Sequence, residues 1–408
     1  MHPRHALAQL DLVALAARHE PLRAHVGGRR IDFEDDGALR YVDADSALTA
    51  ALLAELDIHA ELPADRLCPA IPSRLNYIHW IEDIVDTPEA LGLDIGTGAV
   101  AVYAALACAL QPHWRMVGTD TDERAIASAR HMLERTAAHG DPRGIVLRLE
   151  LRHVQPEPLI SGAFDFVVCN PPFYADAAER EACRTHKRTP HSQTAAAEAE
   201  LYTPGGEVAF VSRMIDDSID AAVGWASSMV GRLASVGALV AKLRRHHITN
   251  YALAEFVQGR TRRWAVAWSL GARRLPDAVA RPRAPALARW LPASNERVLG
   301  NRTFDSDAAL HAWLASLPTL PAKSVRFTAG AGVRLDFYER CWTRDARRRR
   351  ARGTCTPTLS PSPILGVHIS CSLRCTWTFG YERALFDSLS THLGGCARAL
   401  TPHARAPP

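Results

Sequence analysis

The segment Asp165-Phe-Val-Val-Cys-Asn-Pro-Pro-Phe-Tyr174 offers groups suited to holding an aromatic amine. Phe166, Val167, Val168 and Cys169 form a short apolar run with β-branched character, which reads as a buried strand. Pro171 and Pro172 cannot continue a sheet, so the chain must leave it directly after Asn170. In an open α/β sheet, ligands bind at the carboxyl ends of the strands. The exocyclic amine of adenine is a poor nucleophile, because its lone pair is delocalised into the ring. The Asn170 side-chain oxygen and the Pro171 carbonyl can each accept one of its N–H groups. The amine is then drawn towards tetrahedral geometry, with its lone pair aimed at an electrophile, and Phe173 or Tyr174 could stack on the base. Taken alone, the same residues read equally well as a strand followed by an Asn-capped Pro-Pro turn.

A second constellation stands upstream. Leu91 to Ile95 predicts a strand, Asp94-Ile95-Gly96-Thr97-Gly98 a turn, and Ala99 to Leu110 a helix. The glycines let backbone pass close to a ligand, and the helix N-terminus offers free N–H groups. The next strand, Met116 to Gly118, runs into Asp120, placed to accept hydrogen bonds from ribose hydroxyls. Val100 or Ala101 occupies the third glycine position, so the dinucleotide fingerprint is incomplete. A pyrophosphate needs that third close approach, whereas S-adenosylmethionine carries no phosphate. The pattern therefore favours a methyl-donor site over a nicotinamide site. Arg74, just before an apolar helix through Ile84, reads either as a solvated charge or as a contact for the donor's carboxylate.

Around these stretches the chain divides by pattern. The expected fold class is α/β, with a small N-terminal helical extension and a C-terminal α+β domain. Residues 1–70 form the extension, with helices around Leu12 to Ala16 and Ala47 to Leu56 and a short strand at Arg29 to Glu34. Residues 71–270 form the α/β domain, 271–300 a Pro-, Arg- and Ala-rich linker, and 301–408 the α+β domain. Ala175 to Thr203 reads as an ordered helix or a lid carrying Arg180, Arg184, His186, Lys187, Arg188 and His191. Gly205-Gly206-Glu207 opens a further helix, and Trp225 to Val230 is a fifth strand. Thr249 to Val257 and Arg263 to Leu270 flank a basic hairpin tip containing Arg260.

Composition excludes little but orients the rest. At 408 residues, 47% hydrophobic and 23% charged, the chain can bury two cores. Its net charge of +4 is mild. The arginines at 344, 347 to 350 and 352 cluster, as in a loop holding an acidic polymer, or in a solvated or import-like run. Nine scattered cysteines suit a reducing compartment better than a disulfide framework. Cys371 and Cys375 are read as core residues rather than metal ligands. No apolar run is long enough to span a membrane, and no metal is expected.

Arg74-Leu-Asn-Tyr-Ile-His-Trp-Ile-Glu-Asp-Ile, Asp94-Ile-Gly-Thr-Gly-Ala, Cys169-Asn-Pro-Pro-Phe-Tyr and Glu255-Phe-Val-Gln-Gly-Arg-Thr-Arg-Arg-Trp-Ala-Val-Ala-Trp-Ser carry a further signal. Together, and in this order, they resemble the methyltransferase-10 domain family from Met1 to about Leu270. Its members methylate N6 of adenosine in U6 small nuclear RNA in eukaryotes and in large-subunit rRNA in bacteria. The resemblance implies a class I, Rossmann-like methyltransferase fold, S-adenosylmethionine as donor and structured RNA as partner. Asn170, Pro171, Pro172 and Phe173 match the catalytic tetrad. Arg74 matches the arginine that reaches the methionine moiety; Asp94, Gly96, Gly98, Asp120 and Asn170 fall at cofactor positions. Arg184, Lys187, Arg188, Arg232, Arg260 and Arg263 fall where the family contacts RNA. Arg4 lies in a basic start shorter than the family's. The stretch Arg143 to Leu159 departs most, and the adenine-side cofactor contact is not placed there.

The reading is therefore an RNA adenosine N6-methyltransferase acting on U6 small nuclear RNA, in the nucleus, with the cytoplasm left open. The alternatives are an rRNA adenine N6-methyltransferase and a non-catalytic RNA-binding protein with a vestigial site. Animal members add C-terminal RNA-binding modules of α+β type, whereas bacterial ones generally stop near the first domain. The last hundred residues therefore favour the former.

Overall fold

The computed structural model describes residues 12–26, 45–185, 197–258, 261–322, 324–352 and 360–399. The chain forms two compact units: Met1–Leu270 with Pro282–Leu291, and Gly271–Arg281 with Pro292–Pro408.

The first unit begins with three helices, α1 (Leu12–Arg18), α2 (Glu20–Val26) and α3 (Asp45–Ala54). Arg18 pins α1 through two bonds to the Glu55 carboxylate, at 3.0 and 2.9 Å. The strand expected at Arg29 to Glu34 lies outside the described residues. Helix α4 (Ile71–Val85) corrects the sequence reading, which places Arg74 just before the helix. Pro72 stands in its first turn, where a missing N–H costs nothing, so the helix begins ahead of Arg74 rather than behind it. Every residue of α4 except Asp83 is buried.

Seven strands form the central sheet: β1 (Ala90–Ile95), β2 (Trp114–Asp120), β3 (Leu149–His153), β4 (Ala163–Cys169), β5 (Ala222–Val230), β6 (Tyr251–Gln258) and β7 (Thr261–Trp268). Their spatial order is 3-2-1-4-5-7-6. β1 to β5 are parallel, and β7 enters antiparallel between β5 and β6. The helices that follow β1, β2, β4 and β5 are α5 (Val102–Leu110), α6 (Glu123–Ala138), the group α7 (Ala177–Thr185), α8 (Glu198–Leu201) and α9 (Gly206–Asp220), and α10 (Leu233–Arg245). α5 begins later than its apolar run predicts, because Ala101 adopts the left-handed conformation (φ +43°) and the turn extends to it. The winding reverses between β1 and β4, and Ile95 stands level with both Thr119 and Cys169. The ends of β1, β2 and β4 therefore meet at the switch point where ligands bind in such sheets.

The second unit holds α11 (Asp277–Ala280), β8 (Glu296–Val298), α12 (Asp307–Ser316), β9 (Val325–Gly330), β10 (Gly332–Phe337), α13 (Arg344–Ala351), β11 (Leu365–Ile369), β12 (Arg374–Phe379) and α14 (Arg383–Arg398). Its strands form an antiparallel sheet in the order 8-12-11-10-9. Helix α14 buries Leu385, Phe386, Leu389 and Leu393, and the Phe386 ring stacks on Trp377 at 5.6 Å. Two stretches differ from the sequence reading. The arginine run expected as a loop is the helix α13. The stretch expected as a linker carries α11, a 3-10 helix (Pro285–Trp290) and β8. Asn295 explains part of that order: its side chain donates to the Leu275 carbonyl and its backbone N–H to the Asp277 carboxylate, both at 2.8 Å. Cys375 is buried on β12 and Cys371 donates to Asp307 at 3.0 Å. Among the described residues no helix is long and apolar enough to cross a membrane.

Gly92, midway along β1, leaves room for the Phe166 ring, which packs on Trp114 at 4.7 Å. A Cβ there would lie 2.4 Å from Phe166 Cζ and 2.5 Å from Met116 Sδ, and both neighbours are almost wholly buried. Gly92→Ala is expected to cost about 1–3 kcal/mol by overpacking. Thermal unfolding should show a lower midpoint; an unchanged one would mean the ring relocates without strain.

Candidate active site

Asn170 directly follows β4, and its Oδ1 is buried with no hydrogen-bond partner among the described residues. Beyond it, Pro171 is buried and Phe173 half-buried. A buried, unpaired amide oxygen normally costs about 1–3 kcal/mol, so its retention points to a donor that arrives from outside the chain. Tyr174 is held in a two-residue bridge: its N–H donates to the Leu201 carbonyl at 3.0 Å, and its carbonyl accepts from Thr203 at 2.9 Å. The segment 175–203 thus returns to its own starting point.

The turn after β1 supplies the other wall. Gly96 and Gly98 have φ of +67° and +71°, and a Cβ at either would meet nothing within 4 Å. Both positions need glycine for conformation, and both open towards free space. Asp120, at the end of β2, receives the Gly98 N–H on Oδ2 and the Asp122 N–H on Oδ1, each at 2.9 Å. It therefore braces the turn, and each oxygen keeps a second lone pair for a ribose hydroxyl.

Two charged groups face this region from the interior. Asp94 is fully buried; its Oδ2 accepts from Thr97 at 2.7 Å and from the Ala104 N–H at 3.3 Å, while Oδ1 has no partner among the described residues. Burial pushes its carboxyl up to about 7. Arg74, on the buried helix α4, lies over the Tyr103 ring at 5.5 Å, and its Nε likewise lacks a partner among the described residues. Arg263 of β7 stands over the Phe173 ring at 6.0 Å. Burial, then the neighbouring Arg74 charge, pull its guanidinium below the usual range.

The structure thus brings together Arg74, Asp94, Gly96, Gly98, Asp120, Asn170 to Phe173 and Arg263. Arg4, Lys187, Arg188 and Arg260 lie outside the described residues, and Arg184 is placed only by its backbone in α7. Arg232 is at the site, partly exposed, with its guanidinium engaged by the protein: it donates to Glu179 at 2.6 Å and to the Phe173 carbonyl at 3.0 Å. Sequence reasoning missed its partners Glu179 and Glu207. Glu207 alone left a trace, as an acidic residue in the first turn of a helix opened by two glycines. In the divergent stretch 143–159, the Arg148 guanidinium donates to the carbonyls of Cys108, Gln111 and Trp114, so this arginine braces the sheet.

A sheet of this order, with a glycine turn after its first strand and Asn-Pro-Pro-Phe after its fourth, defines a class I S-adenosylmethionine-dependent methyltransferase. The chain belongs to the methyltransferase-10 family, described as RNA methyltransferase, whose model matches residues 1–271. It is 30% identical over 381 residues to the U6 small nuclear RNA (adenine-(43)-N(6))-methyltransferase of Schizosaccharomyces pombe, covering 91% of this chain and 95% of that protein. It is 31% identical to the RNA N(6)-adenosine-methyltransferase mettl16 of Danio rerio, over 86% of this chain and 79% of that one. Among solved structures, the human METTL16 catalytic domain in complex with MAT2A 3′UTR hairpin 6 is 32% identical with a TM-score of 0.58. The match covers 66% of this chain and 96% of that domain. The N-terminal domain of human METTL16 in complex with SAH gives a TM-score of 0.51 at 29% identity, over 66% of this chain and 98% of that one. The resemblance read from the four motifs is thereby borne out, and S-adenosylmethionine is the methyl donor. No group of three or more metal-ligating side chains occurs among the described residues.

The unpaired atoms suit that donor: a guanidinium for its carboxylate, a buried carboxylate oxygen for its ammonium. Donor binding is then expected to depend on pH through Asp94. Donor-free Asp94 is protonated below about pH 7 and must ionise to hold an ammonium, so donor affinity should fall below pH 7 by up to tenfold per unit. Between about pH 4 and 7 the folded chain keeps a proton that the unfolded chain has lost, so this group lowers stability as pH rises through that window. Calorimetric titration with S-adenosylmethionine from about pH 6 to 8 checks the first expectation. Asp94→Asn should bind weakly with a flat profile, and a flat wild-type profile would remove Asp94 from the site.

Proposed function

We propose that the chain transfers the methyl group of S-adenosylmethionine to N6 of an adenosine in structured RNA, with U6 small nuclear RNA as acceptor and the nucleus as its place of action. The observation that carries this reading is the buried, unpaired Asn170 Oδ1 at the end of β4, followed by a carbonyl and an aromatic ring. When bound, the donor supplies an electrophilic methyl on a sulfonium. Asn170 Oδ1 and the Pro171 carbonyl accept the two N–H groups of the target amine and draw it towards tetrahedral geometry, so that its lone pair leaves conjugation with the ring and points at the methyl. The Phe173 ring, backed by Arg263, stacks on the base. The target adenosine must first leave its own stack. No general base is needed for the attack, because the amine becomes acidic only after the methyl arrives; its proton then passes to solvent.

Support for U6 RNA comes from the extent of the match to the fission-yeast enzyme, which runs through most of the second unit. Within that unit α13 presents Arg344, Arg347, Arg348 and Arg349 to solvent, a surface suited to RNA backbone. Arg74, Asp94, Gly96 and Asp120 are assigned to the donor; Arg4, Arg184, Lys187, Arg188, Arg260 and Arg263 are assigned to RNA.

The experiment is methyl transfer from labelled donor to a U6 transcript, beside a large-subunit rRNA fragment, with nucleoside identification. N6-methyladenosine on U6 alone is expected. Asn170→Ala should lower turnover at least about 100-fold while leaving RNA affinity intact; loss of both together would refute its role. Label on rRNA alone would shift the acceptor. Separately, changing Arg344, Arg347 and Arg348 to Gln should weaken U6 binding and reduce its salt slope by about one for each phosphate no longer neutralised, with donor affinity unchanged. An unaltered slope would leave α13 as a solvated face.

A further inference from the structure

Glu207, in the first turn of α9, is 1% exposed. Its carboxylate accepts the Gly231 N–H at 2.7 Å, the Arg232 N–H at 3.2 Å and the Ser235 hydroxyl at 2.5 Å. It therefore caps α10 in place of a side chain on Arg232 itself, which makes no cap bond. Burial raises the Glu207 carboxyl, and those three donors oppose the shift. This anchor fixes the base of the Arg232 side chain, whose guanidinium reaches two further partners. One is the Phe173 carbonyl at 3.0 Å. The other is Glu179 Oε1 at 2.6 Å, on the first turn of α7. Arg232 holds the Glu179 carboxyl below its usual range. The second oxygen of Glu179 accepts the Ala175 N–H at 2.6 Å.

Two glycines shape the arrangement, one by space and one by conformation. A Cβ on Gly231 would stand 3.1 Å from Phe173 Cδ1, so the ring rests on bare backbone there. Gly206 is required by its φ of +66° rather than by space, since a Cβ on it would only touch the Ala175 nitrogen and the Phe173 carbonyl at 3.4 and 3.7 Å. The main chain from Phe173 to Ala175 is thus clamped by a buried acid, a guanidinium and a second acid.

We infer that Arg232 is a positioning residue for methyl transfer rather than an RNA phosphate contact. It sets the Phe173 ring through the Phe173 carbonyl and ties that setting, through Glu179, to α7. Helix α7 also carries Arg184, so the clamp joins the helix bearing that arginine to the stacking ring. The inference rests on the proposed adenosine chemistry for its catalytic consequence, but the clamp itself is independent of the acceptor.

The test uses the full chain with Arg232→Gln, Arg232→Lys, Glu179→Gln and Gly231→Ala, each checked for donor affinity and thermal midpoint. Turnover on U6 RNA should drop roughly tenfold to 100-fold in Arg232→Gln, with the RNA dissociation constant and its salt slope unchanged. Arg232→Lys should not rescue, because an ammonium lacks the fork that spans two acceptors. Glu179→Gln and Gly231→Ala should move turnover in the same direction. Amide hydrogen exchange at Ala175 should quicken in Arg232→Gln and Glu179→Gln, whatever RNA is present. A weaker RNA dissociation constant with a salt slope reduced by about one, restored by Lys, would make Arg232 a phosphate contact and overturn the inference. So would unchanged Ala175 exchange. Wild-type protein that fails to methylate U6, while Ala175 exchange still responds, would instead indict the acceptor.

Discussion

A polar atom removed from water must find a partner, and among those in the first unit with no hydrogen-bond partner among the described residues are three at the candidate site: Arg74 Nε, Asp94 Oδ1 and Asn170 Oδ1. The first two sit on elements whose residues are almost all buried, α4 and β1, and the third directly follows the buried end of β4. The surrounding core is what keeps these atoms dry and directional. Without the tight packing of β1 between β2 and β4, a carboxylate such as Asp94 would hydrate and its carboxyl would return to the ordinary range. The three atoms are also chemically unlike: a cation, an anion and a neutral acceptor. That mixture fits a zwitterionic donor beside an amine and would suit few other ligand pairs.

Topology brings them together. In the order 3-2-1-4-5-7-6 the strand carrying Asp94 adjoins both the strand ending at Asp120 and the strand that leads into Asn170. The antiparallel β7 adds Arg263 from the opposite chain direction, which lets a residue at the start of its strand reach the same edge. The glycine turn is stiffened from below by Asp120, so a residue available to the ligand also determines the shape that receives it.

Much of this was legible in the sequence. Strand β4 and its Pro-Pro exit were readable because proline ends a sheet for a local reason, and the turn after β1 because glycine spacing is local too. The β6–β7 hairpin and the helix and strand pattern of the second unit followed from short-range periodicity. The misreadings share a cause. Pro72 looks like punctuation, yet it is compatible with a first helical turn, so Arg74 belongs inside α4. The run at Arg344 to Ala351 looks like a loop because like charges repel, yet its residues are good helix formers and largely face solvent. Residues 271–300 look like a linker by composition, while three-residue strands and 3-10 turns leave almost no periodic trace. The Glu207–Arg232–Glu179 clamp joins residues 25 to 53 positions apart, and no local pattern announces such a pairing.

The path of the chain between the two units carries one more implication. Pro282–Leu291 belongs to the first unit although it follows residues of the second. Leu287 lies wholly within the first core, the Trp290 carbonyl accepts the Tyr251 hydroxyl at 2.9 Å, and the Trp290 ring fills the space that the missing side chain of Gly237 leaves. The chain therefore comes back to the first unit once after leaving it, and this return completes the first core. A chain cut after Leu270 would leave the space beside Gly237 open and the place of Leu287 empty, so the first unit needs residues 282–291 to keep its core filled.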